Sequence, residues 1–295
     1  MEKSQKPDPS QPQETMKQNK QESSDSIYDR SLEYSYFVKS HWNPLDTNFQ
    51  DKLVHNYFDF NQPVYPHLTS HKMLQYMRIV LVIPSILIFI LSLIKLRYSS
   101  LVIFLTQWAN HIVIISFILS IYSGTFKYQH NLKLKRYAAI STQLAFVMQL
   151  IVVSIYWPLL HKLAMEKIME TTDEVMRTYL IYHMLFIHSI PFAAVTINVI
   201  CSKVIFIPGH CTYLIMVALL YSFVNYCGVK YRGHFLYPFL KWEDYKSFVV
   251  VFGLTICGAT LHIIVCFFVY HFKTQQLKAA QVYSKQSKTQ ESKSQ

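Results

Sequence analysis

The residues able to do chemistry in this chain are few, because most of its middle is apolar. An ionisable or nucleophilic side chain within a stretch long enough to cross a bilayer is costly to keep, and is therefore a candidate for function. One such stretch holds Thr106, Gln107, Asn110, His111 and Ser116. Another holds His183, His188, Ser189, Thr196 and Asn198, and the last holds Thr255, Thr260 and His262. None carries an Asp or Glu near its centre. That pattern excludes paired-carboxylate acid–base chemistry and carboxylate-rich di-iron sites, and it disfavours proton- or cation-coupled transport. Hydroxyls and histidines remain. A threonine hydroxyl becomes a useful nucleophile when a base takes its proton, and histidine is the usual base. Thr106 and His188 fall on helices that enter from one membrane face, at depths of roughly 8 and 14 Å by the helical rise. They are the candidate nucleophile and base. Asn110, one turn from Thr106 on the same face, is the candidate support for a developing oxyanion.

Each of these residues also has a plainer role open to it. A threonine in a membrane helix commonly bonds its own preceding turn. A lone histidine is more often a packing residue than a base, and His111 and His262 read that way. His183 points to a different face from His188 and suits a lining or structural role. Asn110 and Asn198 are of the type that hydrogen-bonds between helices. The cysteines (Cys201, Cys211, Cys227, Cys257 and Cys266) form no CxxC pair, so a zinc site is not expected. Cys201 with Cys211 is the one pairing worth testing.

The elements that must position these groups follow from length and hydropathy. A bilayer core of about 30 Å needs about 20 apolar residues in a helix. Six segments qualify: Ile79–Leu96, Leu101–Tyr122, Ala138–Leu160, Tyr179–Cys201, Val204–Val229 and Phe248–Tyr270. Barrel strands would be half as long and alternating, so the fold class is all-α, a polytopic bundle of six transmembrane helices. Pro208-Gly209 interrupts the fifth segment, which predicts a helix starting near Cys211 or Thr212 after a re-entrant or interfacial 204–210. The bundle spans 77–272. Residues 1–27 and 273–295 are polar and read as disordered tails, the second basic. The segment 28–76 is polar but aromatic-rich, fit to lie on headgroups, to cap the bundle, or to form a partly ordered loop. The N-terminus has no apolar core and is not a signal peptide.

An even number of crossings puts both termini on one side. Basic residues near the spans are balanced across the membrane, Arg78 among those counted on the terminal side, and the LKLKR cluster at 132–136 tips the termini toward the cytosol. The formal charge of +11 suits anionic headgroups rather than nucleic acid, because no basic stripe interleaves with aromatics on a soluble face.

Three segments bear a resemblance. IFLTQW around Thr106, IHSIPF around His188, and LLYSFVNYCGVKYRGHFLYPFLKW from Leu219 to Trp242 resemble the androgen-induced protein family, whose members include the androgen-dependent regulator of tissue factor pathway inhibitor. The likeness runs over about 79–270, and the last segment is its most specific part. It implies a six-helix membrane threonine hydrolase that cleaves fatty acid esters of hydroxy fatty acids. It also implies that Thr106, in Phe104-Leu105-Thr106, is the nucleophile, and that His188, ahead of Pro191-Phe192, is its partner. The Tyr-Pro-Phe-Leu signature is intact as Tyr237 to Leu240. The gap from His188 to Pro191 and the spacing of the second histidine depart from the family pattern. His183 is therefore the rival counterpart, although His188 fits the distance to Tyr237 better.

The expectation is an integral membrane hydrolase of lipid esters, its partners a lipid substrate and the bilayer, with no metal or organic cofactor and no nucleic acid. The alternative is a non-catalytic lipid-binding or scaffold protein on the same fold. A small-solute transporter is a third reading, disfavoured by the missing carboxylates and the lack of repeats. An endomembrane setting such as the endoplasmic reticulum, or the plasma membrane, goes with the first. No carboxylate is available in the spans to orient the histidine, so a backbone carbonyl, an Asn or a Tyr must do so.

Overall fold

The computed structural model describes residues 59–66, 68–96, 101–125, 127–128 and 131–294, with side chains described up to 280 except at 278. The tail 1–27 and residues 28–58 of the aromatic-rich segment lie outside the described residues. What is described is helical, with six spans long and apolar enough to cross a membrane.

The first span is α1 (His71–Lys95), started by the Ser70 hydroxyl, which accepts the Met73 N–H at 3.2 Å. The second is α2 (Leu105–Ser123), which begins four residues later than its apolar run does. The third starts as α3 (Leu132–Ile155), with Asn131 as N-cap. Pro158 lacks the N–H that a regular turn would use, and the chain widens into a π turn over Tyr156–Leu160 before continuing as α4 (His161–Met169). The fourth span is two helices. The Asp173 carboxylate accepts the N–H groups of Val175 and Met176 to start α5 (Glu174–Ile187), and α6 (Ile190–Cys201) follows. The break falls at His188-Ser189, because Pro191 cannot donate to the carbonyl four residues before it.

The fifth span departs from helix where Pro208-Gly209 predicts it. Residues 204–207 run buried and extended, a 3₁₀ turn spans Pro208–His210, and α7 (Cys211–Arg232) follows. Irregular backbone at this depth needs partners. Gln143 supplies them, donating to the Ile205 carbonyl at 3.3 Å and accepting the Ile207 N–H at 3.1 Å, while His262 Nε2 reaches the Ile207 carbonyl at 3.2 Å. The last helix, α8 (Lys246–Ser294), passes His271 without a break, so the stretch expected to be an unstructured tail is helical. Its sequence has no Pro or Gly after Gly258 and is rich in Lys, Gln and Ala, which favour helix.

Residues 59–64 cap the bundle at its terminal end. Phe60 and Val64 are buried, Pro63 pairs with Ser202, and the Val64 N–H donates to the Cys201 carbonyl at 3.0 Å. Beneath this cap lies Arg78, which is fully buried and not the headgroup-level charge its place in the sequence suggests. Its guanidinium donates to Asn198 Oδ1 (2.9 Å), Asn61 Oδ1 (3.0 Å) and the Phe60 carbonyl (2.7 Å), and it lies over the Phe60 ring. Close by, Lys135 and Asp59 form an ion pair at 3.0 Å. Outward-facing side chains on α1 (Val80, Leu87, Ile94) and α8 (Phe248, Phe252, Phe268) are apolar and exposed, as a lipid-facing surface requires. All five cysteines are free, Cys201 and Cys211 included.

Candidate functional site

The break in the fourth span creates the environment of His188. With α5 ending at Ile187, the Met184 carbonyl is open to the His188 imidazole, and Nδ1 lies 2.8 Å from it. A carbonyl can only accept, so Nδ1 carries the proton and Nε2 presents a lone pair. Nε2 lies 3.1 Å from Thr106 Oγ1. The pair singled out in the sequence is thus in hydrogen-bond contact, across 82 residues of chain. The π turn completes the arrangement by laying the Tyr156 ring flat on the imidazole, with centroids 3.4 Å apart and planes within 10°. A backbone carbonyl and an aromatic face orient this histidine in place of a carboxylate.

The two residues meet at one depth for a reason of boundaries. Thr106 is in the first turn of α2, and His188 lies roughly 20 Å along the fourth span by helical rise. The α4–α5 hairpin therefore projects past the start of α2. The loop after α7 fills the space beside it. Gly233 ends α7 in the left-handed conformation (φ 73°), and Trp242 returns the chain, also at positive φ (60°). That is a strained conformation for a large side chain, and two hydrogen bonds hold it: its N–H to Ser247 Oγ (2.8 Å) and its indole N–H to Asn225 Oδ1 (2.8 Å). Between these points Tyr237 turns inward, and its hydroxyl accepts the Leu105 N–H at 3.3 Å, one residue from Thr106. Burial pushes the Tyr237 phenol above its ordinary range, so it stays protonated.

Thr106, His188, Tyr156 and Tyr237 all line one cavity of about 850 Å³. Its walls are mostly aliphatic and aromatic, among them Met148, Ile151, Leu214, Val217 and Phe239, and its volume is at the upper end of the range for ligand sites. Lys167, Arg232 and His234 also line it, and with His183 and His188 they are the side chains of its lining that bear or can take a positive charge.

The other sequence candidates fall elsewhere. Asn110 does not line the cavity. Its amide donates to the Ser85 carbonyl at 3.2 Å, so it ties α2 to α1 and is not placed to meet an oxyanion at Thr106. His183 lines the cavity but faces Ser92 (3.4 Å) and Tyr179 (3.4 Å), not Thr106. His111 packs edge-on against Phe89 and His262 against the buried, non-helical backbone at Ile207, both structural placements. Tyr156 is the participant that sequence reasoning missed. The signal was the Pro158 that distorts its helix, but nothing local says which ring the distortion would serve. Among the described residues no three His, Cys, Asp or Glu side chains converge as a metal site would require.

Six apolar spans around an internal cavity define a multipass membrane protein. Compared with protein-family models, curated proteins and solved structures, the chain matches none.

Proposed function

We propose that this protein is a membrane-embedded hydrolase of lipid esters, with Thr106 as nucleophile and His188 as base, and that it belongs with the androgen-induced proteins it resembles. The observation that carries the reading is the 3.1 Å contact between Thr106 Oγ1 and the lone-pair nitrogen of His188, facing an apolar cavity of about 850 Å³. A membrane protein has little structural need for a hydroxyl–imidazole pair at such a cavity, and a nucleophile has every need of it.

In this mechanism the ester's acyl chains occupy the apolar cavity. Thr106 Oγ1 attacks the carbonyl carbon as its proton passes to His188 Nε2. The imidazolium is stabilised by the Met184 carbonyl at Nδ1–H and by the Tyr156 ring against its face. Collapse expels the alcohol, which leaves with the proton from Nε2, and water then resolves the acyl-threonine. With Asn110 bonded to Ser85, the Tyr237 hydroxyl, which takes the Leu105 N–H and bonds the Tyr221 side chain, is the side-chain donor this reading assigns to the oxyanion. Fatty acid esters of hydroxy fatty acids are the substrate class this reading favours. An endomembrane or plasma-membrane setting with cytosolic termini goes with it.

Labelling of the purified protein in detergent with a fluorophosphonate tests the proposal, because only an activated hydroxyl reacts. Wild type should label on Thr106, Thr106→Ala should not label, and His188→Ala should label at least about 100-fold more slowly. A folded wild type that does not label would overturn the hydrolase reading and leave a lipid-binding multipass protein.

A further inference from the structure

Behind the Thr106–His188 pair runs a second set of polar groups that the hydrolase chemistry above does not use. Arg78, Ser85 and Ser92 recur every seven residues on α1, which puts them on one stripe of the helix, and all are fully buried. Each meets polar groups on the facing helices. Arg78 meets Asn198 and the Ser120 carbonyl, the Ser85 carbonyl meets Asn110, and Ser92 meets both Gln107 (3.3 Å) and His183 (3.4 Å). The level of Arg78 is cut off from the next by Val82, Val113, Phe117 and Val195, all buried. The two levels nearer the site form a buried polar cluster that reaches the cavity wall, where Gln107 and His183 stand with Thr106.

This cluster is under-satisfied. Ser85 Oγ, Asn110 Oδ1 and Gln107 Oε1 are buried and have no hydrogen-bond partner among the described residues. Buried polar atoms in proteins are paired with other protein groups or with ordered water, and lipid offers no substitute. Gln107 is 3% exposed, directly follows Thr106 in the chain, and has its amide nitrogen committed to Ser92 Oγ, which leaves its carbonyl oxygen as a free acceptor.

We infer that this cluster is a water-binding site, and that water held at Gln107 Oε1 is the water that hydrolyses the acyl-threonine. The second half of this inference rests on the hydrolase reading; the first half does not. A lipid ester filling an apolar cavity excludes bulk water from the carbonyl, yet deacylation consumes one water molecule per turnover. Water held at Gln107, in the cavity wall beside Thr106, resolves that conflict. The water donates one hydrogen bond to Gln107 Oε1 and gives its other proton to His188 Nε2 as its oxygen attacks the acyl carbon. The bond from that carbon to Thr106 Oγ1 breaks, Oγ1 recovers the proton from His188, and the fatty acid is released. Gln107 is a positioning residue in this step, and Ser92 fixes its amide. The apolar layer below separates this cluster from the level of Arg78, so it supplies water without connecting the two membrane faces.

Stopped-flow hydrolysis of p-nitrophenyl decanoate separates acylation from deacylation. Gln107→Met should convert turnover into a burst of about one p-nitrophenolate per enzyme, followed by a steady rate roughly 100-fold below wild type. Mass spectrometry of the intact variant should find a decanoyl group on Thr106. Ser92→Ala should shift in the same direction, and Ser92→Thr, which keeps the hydroxyl, should recover. If Gln107→Met slows both steps equally, or neither, the assignment of the hydrolytic water is overturned. Wild type that neither releases p-nitrophenolate nor labels at Thr106 would overturn that half together with the hydrolase reading. The water site itself is read independently by X-ray hydroxyl-radical footprinting, in which bound water oxidises the side chains it touches. His183 should be oxidised rapidly in wild type and protected in Asn110→Leu. A His183 that is unreactive in wild type would overturn the water site whatever the catalytic result.

Discussion

At the scale of single residues, the protonation of His188 decides the chemistry proposed here. Its Nδ1 is bonded to the Met184 carbonyl and its Nε2 faces Thr106, so the ring can accept a proton only at Nε2 and only while neutral. Acidification fills that lone pair. Fluorophosphonate labelling should therefore fall on the acid side along a single titration. Tyr237 contributes no alkaline limb below about pH 10, because burial moves its phenol upward from that ordinary value. A pH profile of the labelling rate checks both limbs, and a rate that is flat through the acid range would remove His188 from the role of base. Tyr156 is testable in the same assay. Tyr156→Phe keeps the ring that stacks on the imidazole and should label nearly as wild type, whereas Tyr156→Ala should lose about 1 kcal/mol of aromatic contact and label more slowly.

At the scale of elements, two irregularities carry the site. The π turn at Tyr156–Leu160 follows from Pro158, and it sets the Tyr156 ring on His188. Pro158→Ala restores the missing N–H and allows a regular turn, which would rotate Tyr156 off the imidazole. The expected outcome is unchanged helical content by circular dichroism with slower labelling of Thr106. The second irregularity is the loop between α7 and α8, held by left-handed residues at both ends. A side chain at Gly233 would meet no atom within 4 Å, so Gly233→Ala tests backbone conformation alone. Its positive φ should cost about 1–2 kcal/mol, measured as a lower unfolding temperature in detergent.

At the scale of the molecule, the bundle has two ends of different kinds. The terminal end is closed by residues 59–64 over a buried arginine, and the other end opens into the cavity between the α4–α5 hairpin and the 233–242 loop. Asn61 links the closed end together. It accepts from Arg78 at 3.0 Å, and its carbonyl takes His71 Nδ1 at 2.8 Å. Asn61→Leu removes an acceptor from a buried cation and should cost about 2 kcal/mol, seen as a lower thermal midpoint with the site's labelling retained in the folded fraction. Six crossings also fix which loops share a side. Glycosylation acceptor sites introduced at 172 and 236 should be modified together, and one at 128 only in the opposite orientation.

How much of this was legible in the sequence differs by scale. Hydropathy and length determined that the chain is a six-helix membrane bundle, because each span must satisfy its own backbone in lipid whatever its neighbours are. Pro208-Gly209 likewise announced the break before α7, since a proline removes a donor locally. Residue chemistry narrowed the candidate nucleophile and base to Thr106 and His188 but could not join them, for the helix ends were uncertain by a turn and the depths disagreed. The tertiary structure decided that contact, through the late start of α2, the projection of the α4–α5 hairpin and the freed Met184 carbonyl. It also moved Asn110 from the oxyanion to the α1–α2 interface, and Arg78 from the headgroups to the interior. Helical spacing says which side chains share a face of one helix. Which face meets which neighbour is set by packing between segments distant in sequence, and that information is not local.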